Sequence, residues 1–442
     1  MRASAVDVQP LASVKLRAPR RARARTSSKK VVDLSPTALA VDTPTRSDGA
    51  VESGAKERST MRSVALDLGV RKISLCEVAD GRVVQRRTVS ELATLEDTLG
   101  PKSTPACVAI EACREAWHVH ATLRGWGHQV LLVDTSRSRQ LGIGHHGKKT
   151  DRVDAEVLAL AVERGHVPLA HVLSPARQQL RLELGVRRAL VETHSHYITT
   201  VRGIVRARGA RLPACNTDDF LTHLKRSVLD ETTRALVDPM ASVLAQVEQQ
   251  LVDVDRRLED LCRAEPTIER LTTAPGVALI VASVFVSVVD EAHRFQHAHQ
   301  VEAYLGLVPS ETSSGGRRRL GAITKHGNAY ARAMLVQAAW RILQPHPTDD
   351  PLRRWGQDVA RRRGRCIAAV AVARRLVGVL WAMWRRGTVY DAARVGHASA
   401  RGISEHAQDL QVRAAAMTRA ATKTQLRQRR TRKLAERSPH LT

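Results

Sequence analysis

The sequence predicts an α/β region followed by a largely α-helical remainder. Three observations predict it. Short β-rich runs cluster between residues 63 and 133, apolar positions then recur every seven residues over two long stretches between 175 and 262, and the chain from 265 to 395 carries mostly helical apolar spacing.

Taken in order, Val-Ala-Leu-Asp-Leu-Gly at 64–69 has the pattern of a buried strand. Residues 73–78 and 82–89 continue as strands, with Asp80 and Gly81 as a hairpin turn. Residues 107–111 form a fourth strand, 115–125 a helix and 129–133 a fifth strand. Hairpins thus give way to strand–helix–strand alternation, which makes the sheet mixed. A Gly- and Lys-rich loop over 142–149 leads into a helix over 150–164. Beyond it Leu184, Val191, Ile198 and Val205 recur every seven residues, with His194 and Val201 between them. After a loop around Pro213 and a break at Asp238-Pro239, Met240, Leu244, Val247, Leu251, Val254, Leu258 and Leu261 form a heptad seam. The spacing predicts two long helices, at least one in a coiled coil between copies of the chain; an intramolecular helical hairpin is the other arrangement it allows. The third region opens on Thr-Ala-Pro-Gly-Val at 273–277, which suits either a turn gripping a DNA backbone or a plain helix start. The organisation read from these shifts is a disordered basic arm (1–60), an α/β catalytic domain (61–174), a helical coiled-coil region (175–264), a mostly helical C-terminal domain (265–395) and a basic tail (396–442). Met61 stands immediately before the first strand, where a shorter product would start.

Charge narrows the function. The 442 residues hold 70 Lys plus Arg against 44 Asp plus Glu, a formal net charge of +26. Residues 1–60 carry a net +6 and 401–442 a net +7, so +13 remains between them and basicity is not confined to the ends. A polyanion, nucleic acid first, is the partner this predicts. An apolar share of 43% supports packed cores and excludes a wholly disordered chain. The apolar runs at 277–289 and 367–384 stop at Asp290 or are broken by Arg374-Arg375, so no membrane span is expected. The six cysteines form neither a CxxC pair nor a zinc spacing and read as reduced thiols in a cytosolic protein. Aromatics, at 3%, are too few for an extended base-stacking platform.

Two constellations carry chemistry. Asp67 lies on the first strand, Glu111 ends the fourth, and Asp151 and Asp154 stand three apart at a helix start, on one face. Strand-end carboxylates facing a helical pair are the hard-oxygen set that Mg2+ ions need for phosphoryl transfer. Asp151 also suits helix capping, and Glu115 and Glu156 read as solvated helix residues. The second constellation runs Gly-Leu-Val-Pro-Ser-Glu-Thr-Ser-Ser-Gly-Gly-Arg-Arg-Arg from Gly306 and ends Gly-Ala-Ile-Thr-Lys-His-Gly-Asn at Asn328. A Ser-Ser-Gly-Gly loop beside Arg317, Arg318, Arg319 and Lys325 can bring a hydroxyl and several cations to one phosphate. A solvated loop on a basic face is the plainer alternative.

The order of Ala-Leu-Asp-Leu-Gly, Ala-Ile-Glu-Ala and Lys-Thr-Asp-x-x-Asp-Ala resembles the DEDD-type transposases of the insertion-sequence one-ten family, whose amino-terminal half is similar to the RuvC junction resolvase and ribonuclease H. Gly-Leu-Val-Pro, Ser-Ser-Gly-Gly, Gly-x-Ile-Thr-Lys-x-Gly-Asn and Ala-Val-Ala-Arg (371–374) resemble that family's second domain, and the likeness covers about 61–395. It implies a RuvC-like fold, a Mg2+ site at Asp67, Glu111, Asp151 and Asp154, and a serine nucleophile, Ser314, with Ser313 as the minor alternative. It also implies a structured guide RNA pairing with donor and target DNA, and a homo-oligomer joined by the coiled coil, whose active site combines two protomers. The function expected is therefore RNA-guided cutting and rejoining of DNA. A hydrolytic RuvC-like nuclease and an inactive nucleic-acid-binding protein are the rivals.

Overall fold

The structure is a computed structural model that describes residues 61–138, 151–312 and 319–395. Both the basic arm and the basic tail lie outside these residues. Strands β1 (Arg62–Leu68), β2 (Ile73–Ala79), β3 (Arg82–Val89), β4 (Ala106–Glu111) and β5 (Gln129–Val133) form one sheet in the order β3-β2-β1-β4-β5. The first two pairings, β1–β2 and β2–β3, are antiparallel; β1–β4 and β4–β5 are parallel. The antiparallel part follows from the tight turn at Asp80-Gly81, and the parallel part from the crossover through helix α1 (Ala116–Gly125).

The sheet buries both faces, and the period of two divides its residues between them. Val64, Leu66, Leu75, Val108, Ile110 and Leu132 pack against Ala116, Val119 and Leu123 of α1. Ala65, Cys76, Val78, Cys107, Ala109 and Val133 pack instead against Ala155, Leu158, Ala159 and Val162 of helix α2 (Asp151–Glu163). Double-sided burial explains why β1 and β4 read as continuous apolar runs broken only at their ends.

Two 33-residue helices follow, α3 (Pro175–Ala207) and, after the short α4 (Phe220–Arg226), α5 (Glu231–Arg263). They pack on one another within the chain, as in the intramolecular hairpin that the spacing allows. Leu244, Val254 and Leu258 of α5 are buried, as are Leu184, Ile198, Val201 and Val205 of α3. His194 is buried too because its Nε2 meets Glu248 Oε1 at 3.0 Å. Arg187 pairs with Asp255 across the same interface. The break expected at Asp238-Pro239 is also corrected. α5 begins at Glu231, capped by Asp230 accepting from the Thr233 N–H, and Pro239 sits inside it. A proline at that point forfeits one helical hydrogen bond; burial of Thr233 and Val237 holds the turn ahead of it in place.

The helical core comprises α6 (Pro266–Thr272), α7 (Leu279–Val289), α8 (Ala298–Tyr304), α9 (Ala329–Leu343), α10 (Pro351–Arg363) and α11 (Arg365–Arg386). A two-stranded hairpin, β6 (Pro309–Glu311) and β7 (Leu320–Ile323), interrupts it before α9, where the sequence pattern predicts no strand. α11 is long and apolar enough to cross a membrane by length and composition. Its apolar face is spent instead on the core, where Ala368, Ala369, Val372, Ala373, Leu376, Val377 and Leu380 are buried. The Pro-Gly turn at 273–277 joins α6 to α7 and packs inward. A Cβ added at Gly276 would stand 2.6 Å from the Ala338 carbonyl oxygen of α9, so the turn faces a helix and not a DNA backbone.

Candidate active site

The acidic constellation is assembled by strand register. Leu66 and Ile110 are the last paired residues of β1 and β4, so Asp67 and Glu111, one step further, are neighbours at the carboxyl ends of two parallel strands. Asp67 lies two residues beyond Ala65 and Glu111 two beyond Ala109. Both therefore share the face that packs on α2. Asp154 precedes Ala155, which belongs to that same packing, and is 5% exposed. Asp67 and Glu111 are half-buried. The backbone of Asp151 opens α2, three residues from Asp154; its side chain is outside the described part.

The donor set consists of carboxylates alone. Among the described residues no three His, Cys, Asp or Glu side chains stand close enough to enclose an ion. Carboxylate oxygens are the donors that hard divalent cations take. Of the neighbouring acids, Glu156 pairs with Arg86, and Asp134, just after β5, accepts from the N–H (2.9 Å) and hydroxyl (2.7 Å) of Ser136. These two hold structure in place.

The second constellation falls on the β6–β7 hairpin. Ser314, Arg317 and Arg318, with Ser313, lie outside the described residues; the structure gives the frame that presents them. The Thr312 N–H donates to the Arg319 carbonyl (3.0 Å) at the hairpin's open end, and Ser310 Oγ donates to the Ala322 carbonyl (3.0 Å). At the foot, the Thr324 and Lys325 N–H groups donate to the Val308 (2.9 Å) and Gly306 (3.1 Å) carbonyls. Gly306 and Gly327, both with positive φ, cross so closely that a Cβ on either would stand 2.1 Å from the carbonyl oxygen of His326 or Tyr304. The two Gly-containing ends of the motif are thus one clasp. Arg332, which sequence reasoning missed, closes it by donating to the Gly327 (3.1 Å) and Leu305 (3.3 Å) carbonyls, and burial pulls its guanidinium below the ordinary arginine range. Asn328 caps α9, accepting from the Ala331 N–H at 2.9 Å. Arg319 and Lys325 are exposed, as phosphate ligands would be. Ile323 packs on the helical core, so the hairpin and the acids stand on different cores.

One contact that sequence reasoning missed ties the helical core to the segment leading out of the sheet. Asp290 follows α7 with φ 64° and is 4% exposed. It accepts from His171 Nε2 (2.6 Å), the Ser174 N–H (3.1 Å) and the Ser174 hydroxyl (2.8 Å), and so caps α3 from another element. Burial would raise its carboxyl, but the hydrogen bonds from His171 and Ser174 outweigh that and hold it below the usual carboxylate range.

The comparisons with known proteins divide along the same lines. A DEDD transposase family model matches residues 64–207, spanning the acidic site, and a second, described as the transposase IS116/IS110/IS902 family, matches 268–351, spanning the hairpin. The chain is 30% identical to a probable family 20 transposase of Pseudomonas aeruginosa over 295 residues, 65% of this chain and 86% of that protein. This chain belongs to the IS110/IS116 transposase family. The transposase for insertion sequence element IS1111A of Coxiella burnetii is 26% identical over 76% of this chain and 93% of its own length. The transposase for element IS1328 of Yersinia enterocolitica is 24% identical over 74% and 98%. The protein is accordingly an enzyme acting on DNA, and its DEDD-type region points to dependence on a divalent metal.

Proposed function

We propose that this transposase cuts and rejoins DNA strands under the guidance of a structured RNA, with Mg2+ held by Asp67, Glu111, Asp151 and Asp154 and with Ser314 as nucleophile. The adjacency of Asp67 and Glu111 at the carboxyl ends of β1 and β4, on the face against which α2 packs with Asp154 buried, carries this reading. The mixed sheet is also what the RuvC-like likeness implies. Bound there, the metal would stabilise charge on the attacking and leaving oxygens of the phosphodiester. The chain's own part is to fix its acids on paired strands and a packed helix, so that their geometry is set before DNA arrives. The Ser314 hydroxyl forms a bond to phosphorus, and the bond from phosphorus to one deoxyribose oxygen breaks. The serine proton passes to a base, for which His326 at the hairpin foot, or Lys325 in place of its phosphate-holding role, is the candidate, and the departing oxygen takes up a proton from the protonated base and leaves as a hydroxyl. Rejoining reverses these events when a new deoxyribose hydroxyl displaces the serine. Arg317, Arg318, Arg319 and Lys325 hold the phosphate by forked or point-charge contacts.

In this reading residues 61–174 act as the metal-binding domain, 265–395 as the serine domain and 175–264 as their connection, while the arm and tail add charge. The enzyme works on DNA in the bacterial cytosol and at the nucleoid as a homo-oligomer. Since the inner seam of α3 and α5 is used within the chain, the surface joining protomers lies on the outer side of this hairpin, where Val186, Val243 and Val252 are exposed. The experiment is to trap reactions on labelled DNA and map the modified peptide. Ser314→Ala should abolish a covalent protein–DNA adduct while binding persists. Cleavage without any adduct would instead identify a hydrolytic nuclease, and metal-independent binding without cleavage an inactive binding protein. RNA recovered with the protein, complementary to the element's ends, tests guidance.

A further inference from the structure

α10 ends and α11 begins at Gly364, whose φ of 86° turns the chain sharply between them. The corner holds Arg361, Arg362, Arg363 and Arg365, and every residue from 361 to 367 is exposed. Elsewhere on α10 the arginines are committed to the fold. Arg353 is buried and donates to the Ile342 carbonyl (3.0 Å), and Arg354 pairs with Asp349 (3.2 Å). At the corner Asp358 takes up Arg361, and its backbone carbonyl accepts from Arg362 Nε at 3.3 Å. Among the described residues, Arg363 and Arg365 have no ion-pair partner; Arg365 lies over the Trp340 ring, 5.7 Å from its centroid.

Helix stability accounts for only part of this cluster. Arg361, Arg362 and Arg363 occupy the last turn of α10, where cations suit the carbonyl end. Arg365 does the opposite. It opens α11, whose first turn contains no acidic residue, so a cation faces the positive end of a 22-residue helix. An external anion relieves that repulsion.

The chemistry of the corner selects the anion. Trp340 is half-buried under Arg365 and so offers no open ring for base stacking. The chemistry on offer is guanidinium forks matched to phosphate oxygens.

We propose that the Arg361–Arg365 corner is a second DNA-docking surface, which holds the phosphate backbone of duplex DNA irrespective of sequence. It rests on the family's action on DNA and is independent of which residue is the nucleophile. The test measures binding of the full chain to a duplex of scrambled sequence across a salt series. The variant changes Arg361, Arg362, Arg363 and Arg365 together to Ala, with a four-lysine counterpart beside it. Each lost phosphate contact lowers the slope of log affinity against log salt by about 0.9. The alanine variant should therefore lose up to about 3.6 from the slope and at least about tenfold in affinity at 100 mM salt, and the lysine variant should keep the slope. The single variants Arg363→Ala and Arg365→Ala, each losing about 0.9, support the same assignment if the fourfold variant fails to fold. An unchanged slope in a folded fourfold variant would overturn the proposal, as would a loss confined to structured RNA. A wild-type chain that binds no duplex would overturn the DNA-acting assignment itself.

Discussion

The acidic face and the β6–β7 hairpin position their residues by different physical means. At the acidic face the placement comes from regular structure. Ladder register sets Asp67 beside Glu111, and the packing of Ala155, Leu158 and Ala159 on the same face of the sheet fixes the helix that carries Asp154. At the hairpin regular structure is scarce. β6 and β7 are three and four residues long, and accuracy comes from the foot, where Gly306 and Gly327 cross and Arg332 ties three carbonyls. On the proposed function, the first arrangement would fix several carboxylates against each other for a metal, and the second would bring one short loop to phosphate.

The comparison can be broken at several points. The largest effect is expected between the two regions, in the long hairpin. Leu258→Asp puts a carboxylate into a fully buried site and should cost about 5 kcal/mol or unfold the chain, by loss of the leucine and burial of a charge. Val252→Asp, at a position 53% exposed, should leave the melting temperature within a few degrees and reduce the molar mass seen by light scattering. A variant at Val252 that stays assembled would remove the outer side of the hairpin as the protomer contact.

Next comes the acidic face. Asp67→Asn should lower strand cleavage in Mg2+ by about a thousandfold, roughly 4 kcal/mol of barrier, and leave duplex affinity within about twofold. Near-normal cleavage would separate Asp67 from the metal set. The clasp is third. Gly327→Ala forces a Cβ against the Tyr304 carbonyl at positive φ, and should destabilise the helical region by about 3 kcal/mol. Hydrogen exchange should report the change around the hairpin foot and leave β1 and β4 protected; loosening of the sheet instead would mean that the two regions are not separately built.

The smallest effect concerns Asp290. Asp290→Asn keeps the shape but weakens bonds that are charge-assisted, and should cost about 1–2 kcal/mol at neutral pH. The sign with pH follows from the depressed carboxyl. Its stabilising contribution is complete above the unfolded value of about 3.9 and is lost as pH falls through the lower folded value, so the gap between wild type and variant should narrow as the medium is acidified below that unfolded value. Denaturant midpoints measured from pH 7 downward test this, and a gap that did not narrow in acid would point to shape alone.

Much of the acidic site is legible in the sequence because its signal is local. Asp67 and Glu111 each terminate an apolar run, and Asp151 and Asp154 share a helix face by spacing alone. The clasp is half legible. Gly306 and Gly327 stand in the motif, but their crossing and the part played by Arg332 depend on contacts that spacing does not encode.

The sequence by itself determined the order of the five sheet strands and the presence of two long helices, the two motif sets and the positive charge, because each rests on a short-range pattern: period two, period seven, or the count of arginines and lysines. Tertiary structure decided what those patterns were for. A heptad seam specifies an apolar partner without saying whose, and here α3 supplied it from within the chain once His194 found Glu248. A 22-residue apolar helix specifies burial without saying in what, and neighbouring helices covered α11. Asp290, in sequence merely the polar end of an apolar run, became the cap of α3 because its three donors come from residues more than a hundred positions away. Local free energies choose elements; which element meets which is settled by packing and by the satisfaction of buried polar groups over the whole chain.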